Sequence, residues 1–99
     1  MAKYDVFAGT QPGTLLLDVQ SDLLGGLNTR VVVPLIPQGQ APVPARFLNP
    51  VVEIDGVPHV MVTQFLAAVP AGMLRDPVDS LAARADEVTR ALDMLFQGF

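Results

Sequence analysis

The chain of 99 residues carries six Lys and Arg against ten Asp and Glu, a formal net charge of -4, with 51% hydrophobic residues, 16% charged residues and no cysteine. This length predicts one domain spanning residues 1–99. The composition excludes a disordered chain, disulfides, thiol catalysis and zinc–thiolate sites.

The basic residues Lys3, Arg30, Arg46, Arg75, Arg84 and Arg90 are scattered along the sequence. Nucleic-acid binding needs a clustered basic face to neutralise phosphates, so DNA and RNA are not the expected direct partners. The apolar content exceeds what one small core readily hides, which points to an obligate partner surface. A well-packed monomer accounts for composition alone almost as well. The absence of cysteine fits the cytoplasm. The start, Met1 to Phe7, lacks the apolar run of a signal peptide. No stretch approaches the roughly 20 apolar residues of a membrane span.

In chain order, Tyr4 to Ala8 reads as a strand, and Gly9-Thr10-Gln11-Pro12-Gly13 as a loop. Leu15 to Val19 is an apolar run of strand length. Gly25 to Asn28 is a break. Arg30 to Ile36 is rich in β-branched residues and predicts a further strand. Pro34 lacks an N–H, which places it at an edge, an end or a bulge. Pro37 to Pro44 reads as a surface loop rather than a free polyproline ligand. Val51 to Ile54 and Val57 to Thr63 read as two strands, and Asp55-Gly56 between them is the strongest hairpin signal in the chain.

The C-terminal quarter changes period. Pro77 and Asp79 or Ser80 mark a helix entry, so the helix is expected over about residues 80–97. Leu81, Ala85, Val88, Leu92 and Leu95 define its apolar face. Glu87 and Arg90, three apart, permit a surface ion pair, and Gly98 is a natural stop. The pattern predicts a mainly β fold: a small antiparallel barrel or sandwich with a C-terminal helix packed on it.

Catalytic constellations are sparse. His59, the single histidine, reads as a strand side chain, and Glu53 and Asp55 lie near it only through the hairpin. No metal-binding motif is present. Asp18 and Asp22 flank Val19-Gln20-Ser21; they suit turn-capping and solubility better than acid–base work. Ser21 and Ser80 sit in no nucleophile elbow, and Gly25-Gly26 and Gly9 to Gly13 lack phosphate-loop spacing. Met61, Met73 and Met94 read as gap-filling core residues. The unusual feature is the ending Met94-Leu95-Phe96-Gln97-Gly98-Phe99, with two aromatics and no charge. Phe96 is expected in the core, whereas Phe99 serves equally well as a staple or as an exposed interface anchor.

The run Asp18-Val19-Gln20-Ser21-Asp22-Leu23-Leu24 resembles the signature of CcdB-type toxins. Val32-Val33-Pro34-Leu35, Pro50-Val51-Val52-Glu53-Ile54, Ala68-Val69-Pro70 and Leu92 to Phe99 follow in the family's order, so the resemblance runs from about Tyr4 to the last residue. It implies an SH3-like β-barrel with a C-terminal helix, a homodimer without cofactor, and no enzymatic activity. It further implies a toxin that binds the DNA gyrase A subunit, traps the enzyme on cleaved DNA, and is neutralised by a CcdA-like antitoxin. The family's gyrase contacts fall on Gln97, Gly98 and Phe99, with Phe96, Asp93, Leu23 and Leu24 as neighbours, and a free carboxylate at Phe99 is expected to take part. The best-known pattern has tryptophan at the position of Gln97; an indole offers a stacking face, an amide mainly hydrogen bonds.

Two other readings compete. Toxins of the MazF and Kid type share the barrel and cut RNA, but they need a basic groove and an acid–base set, whereas this chain is acidic and its arginines are dispersed; Arg30 would be the residue to test. Alternatively, the chain binds only its antitoxin and helps repress their operon.

Overall fold

The computed structural model describes residues 1–99. Its strands are β1 (Asp5–Ala8), β2 (Leu15–Asp18), β3 (Thr29–Pro37), β4 (Val51–Ile54), β5 (Val57–Met61), β6 (Ala67–Pro70) and β7 (Asp79–Ser80), followed by the helix α1 (Ala85–Gln97). The β-branched run of β3 makes it the longest strand and the organiser of the sheet. The strand order is β4-β5-β3-β2-β1-β7, with β6 also pairing β3, and every pairing is antiparallel. The result is a nearly closed antiparallel barrel carrying one C-terminal helix, the mainly β class that the sequence predicts.

The hairpin forms where Asp55-Gly56 places it. Both residues have positive φ, 54° and 74°, as a two-residue turn matching the strand twist requires. Pro34 is a different matter: it lies mid-strand rather than at an edge or end. On one side of β3 it faces Leu16 of β2. On the other side β3 changes partner, from β6 along Thr29 to Val32 to β5 along Leu35 to Pro37. Pro34 falls in that gap, where a missing N–H breaks no ladder, and its carbonyl accepts a bond from the Val62 N–H at 3.0 Å.

Strands β1, β2 and β3 differ from the sequence expectation by a residue at one end or both, with Pro37 taken into β3, and three elements depart further. Strand β5 ends at Met61, because Thr63 begins a 3-10 turn and donates its hydroxyl to the Leu48 carbonyl. Strand β6 has no alternating signature, since Ala67-Ala68 presents little side chain; only its partner β3 defines it. Helix α1 begins at Ala85 rather than near residue 80. Asp79 and Ser80 are instead taken as strand β7 by β1, with the Leu81 N–H donating to the Tyr4 carbonyl at 2.8 Å. Ser80 Oγ still caps, accepting the Ala82 N–H of the 3-10 turn at 3.2 Å.

The sheet buries apolar side chains on both faces, as period-two alternation demands. One face gathers Val6, Leu17, Val33, Leu35, Val52 and Met61 against Leu81, Val88 and Ala91 of the helical segment. The other holds the smaller cluster Phe7, Val32 and Leu74. Met73, expected inside, is exposed, and Met94 is half-buried. No helix is long and apolar enough to cross a membrane.

Candidate functional site

Helix α1 delivers the chain end to the surface. Val88 and Ala91 are buried, Leu92 and Leu95 half-buried, and the exposure rises beyond them. Phe96 is 68% exposed and Phe99 80% exposed, which corrects the expectation of a core position for Phe96. The partly buried stretch of α1 ends at Leu95, and Phe96 is the first residue beyond it. Gly98 closes the helix with φ of 80°, in the left-handed region that favours glycine, and its N–H donates to the Asp93 and Met94 carbonyls at 3.2 and 3.1 Å. Gln97 Nε2 donates to Asp93 Oδ1 at 3.4 Å, so these two side chains, one helical turn apart, share a face. An aromatic pair, an amide–carboxylate pair and a glycine thus form one exposed end.

Leu23 and Leu24 lie on a separate turn. Leu23 is 95% exposed, and the turns in close contact with α1 are Thr63–Phe65 and Ala82–Arg84, not this one. The leucine turn is nonetheless built with care. Ser21 Oγ accepts the Leu23 N–H at 3.2 Å, and Asp22 Oδ1 accepts the Lys3 N–H at 2.8 Å. Gln20, buried, donates from Nε2 to the Leu24 carbonyl at 3.1 Å and accepts the Val31 N–H on Oε1 at 3.0 Å. One side chain therefore ties the end of the turn to β3.

Beneath the turn lies a buried ion pair that the sequence reading missed. Arg30 Nε donates to Asp18 Oδ2 at 2.9 Å and its Nη2 donates to the same oxygen, with Arg30 2% and Asp18 0% exposed. Asp18 Oδ1 accepts the Gln20 N–H at 3.0 Å, and Asp22 Oδ1 stands 3.9 Å from Arg30 Nη2. Asp18 is thus no solubilising residue, and Arg30 is not available to RNA. The register that pairs Asp18 with Val32 brings the two charges together; no local pattern in the sequence encodes that.

The remaining titratable candidates do not converge. His59 is buried in β5 with Nδ1 2.8 Å from the Val57 carbonyl, while Glu53 and Asp55 are exposed. No group of three His, Cys, Asp or Glu side chains is arranged to hold a metal. Glu87 pairs with Arg84, at 2.8 and 2.7 Å, rather than with Arg90. Arg84 wins because it also reaches the Val51 carbonyl at 3.2 Å, whereas Arg90 lies over the Phe47 ring, 3.6 Å from its centroid.

A nearly closed antiparallel barrel with one terminal helix and an exposed aromatic end defines the class: a small barrel protein whose distinctive chemistry lies on its surface. A family model described as CcdB protein matches residues 3–98. The chain belongs to the CcdB family and is the toxin of a toxin–antitoxin module, in a family whose toxins are not enzymes.

Proposed function

We propose that this toxin acts as a cytoplasmic homodimer that binds the DNA gyrase A subunit and traps the gyrase–DNA cleavage complex, until a CcdA-like antitoxin neutralises it. The observation that carries the reading is the exposed end Phe96-Gln97-Gly98-Phe99, displayed beyond the last packed turn of α1. Aromatic side chains dominate binding hot spots, and two of them stand in solvent here. Gly98 leaves its own surroundings open, with no atom within 4 Å of a would-be Cβ, so a partner backbone can approach closely. Asp93 holds the Gln97 amide, and Leu23 and Leu24 offer a second exposed apolar contact from their own turn. In the homodimer the two copies of this end are brought together at the two-fold axis.

Binding of purified gyrase A by the full chain tests this. Phe99→Ala weakens it by about 2 kcal/mol, roughly thirtyfold, as expected of a central anchor. An unchanged affinity in this variant removes Phe99 from the site.

A further inference from the structure

We propose that a second surface, built around Phe47, is a binding site for an acidic peptide segment of a protein partner. Its residues lie outside the terminal site.

Three of the six basic residues, scattered along the sequence, draw together in space. Arg46 and Arg90 both stack on the Phe47 ring, at 4.7 and 3.6 Å from its centroid. Arg84 stands close by, bonded to the Val51 carbonyl. Glu87 neutralises Arg84, but Arg46 and Arg90 have no carboxylate partner. In a chain of net charge -4 this is an isolated cationic spot.

The spot is rigid. Phe47 has φ of 65°, a left-handed conformation that a bulky side chain rarely adopts. The loop around it is pinned from both sides. Buried Asn49 accepts the Ala45 N–H on Oδ1 at 3.0 Å, and its Nδ2 donates to the Met61 carbonyl at 3.0 Å and to Gln64 Oε1 at 2.8 Å. Thr63 Oγ1 donates to the Leu48 carbonyl. Such strain persists only where the surroundings over-determine it, and it concentrates at functional positions. Here it aims the ring at the two guanidinium groups.

The chemistry selects the ligand. A guanidinium whose carbon lies over a ring is bound by no acceptor there, and its N–H donors form a rigid fork that matches a carboxylate. The Arg90 fork lines a groove of about 230 Å³ together with Phe47, Pro50 and Glu87, whose carboxylate is already held by Arg84, and Arg46 adds its charge from over the Phe47 ring. Phe47 and Pro50 supply an apolar floor for a side-chain stem. A short segment with two carboxylates around an apolar residue fits this set. A long polyanion does not, because the charges outside the spot are predominantly acidic.

The test uses the full chain, isotope-labelled, titrated by NMR with the acetylated peptide amide Glu-Leu-Glu-Glu. Amide shifts confined to residues 45–51 and 84–91, with affinity that falls as salt rises, are expected. The Arg46→Gln/Arg90→Gln variant weakens the affinity roughly tenfold or more, and the Gln-Leu-Gln-Gln peptide does not bind. Phe47→Gly, which tolerates the positive φ and so stays folded, also loses binding. No binding of the acidic peptide, shifts elsewhere, or affinity unchanged in the double variant overturns the proposal. So does a single-stranded oligonucleotide that displaces the peptide from the same residues.

Discussion

Asp18 and Arg30 form the one fully buried ion pair, and its partners are spent on structure rather than reactivity. Removing one member strands the other charge in the interior, which costs about 3–5 kcal/mol. Arg30→Met is therefore expected to lower the urea-unfolding free energy by that amount. The Asp18→Leu/Arg30→Met variant is expected to lose less, because no lone charge remains. Equal losses in both would show that packing, not charge, sets the effect. This pair also marks where the sequence falls silent. Asp18 and Asp22 look alike in the chain, and Arg30 looks like any surface arginine. Only the β2–β3 register buries one carboxylate and leaves the other in solvent. Gly98 was legible by contrast: a glycine after a helical run reads as a stop, and its φ of 80° bears that out. Gly98→Glu strains this turn by about 1 kcal/mol, the cost of a side chain at positive φ, since a Cβ there meets no atom within 4 Å. The expected outcome is a folded protein that no longer arrests growth when expressed. Continued toxicity would move the site elsewhere.

At the scale of elements, the helix shows how tertiary pairing overrides local signals. Ser80 and Asp79 have capping chemistry, yet β1 recruits them as β7 and delays the helix to Ala85. The apolar face itself was legible, because period 3.6 is a local property: Val88 and Ala91 pack on the barrel, and Leu81, placed on that face, is buried just ahead of the helix. The hairpin was legible for the same reason, its turn residues dictating their own dihedrals. Strand β6 was not, since alanines carry no alternation and the strand exists only through β3. Val88→Ala, which opens a void between helix and sheet, is expected to destabilise the fold by about 2 kcal/mol in thermal or urea unfolding. A negligible loss would mean that α1 docks through its flanking turns instead.

For the whole molecule, the apolar surplus of the composition lies largely outside the core. Only 22 of 99 residues are buried, and Leu23, Leu27, Phe65, Met73, Phe96 and Phe99 are among the large apolar side chains in solvent. A monomer rarely leaves so much apolar surface uncovered. Sedimentation equilibrium is expected to give twice the 10.5 kDa chain mass. A monomer at micromolar concentration would assign that surface to other partners. The terminal site was legible as a place, because an uncharged aromatic ending is rare, but its exposure was not. Whether a helix end lies on the barrel or projects from it depends on where the helix starts, and that is set by β7.

Poisoning is read out by incubating purified gyrase, ATP and supercoiled plasmid with the toxin and assaying for trapped double-strand breaks. Breaks are expected that disappear when Gln97-Gly98-Phe99 is deleted and that increase in Gln97→Trp, where an indole adds a stacking face to the exposed end. Absence of breaks with folded toxin and active gyrase, or breaks that survive the deletion, would contradict poisoning through the terminal site.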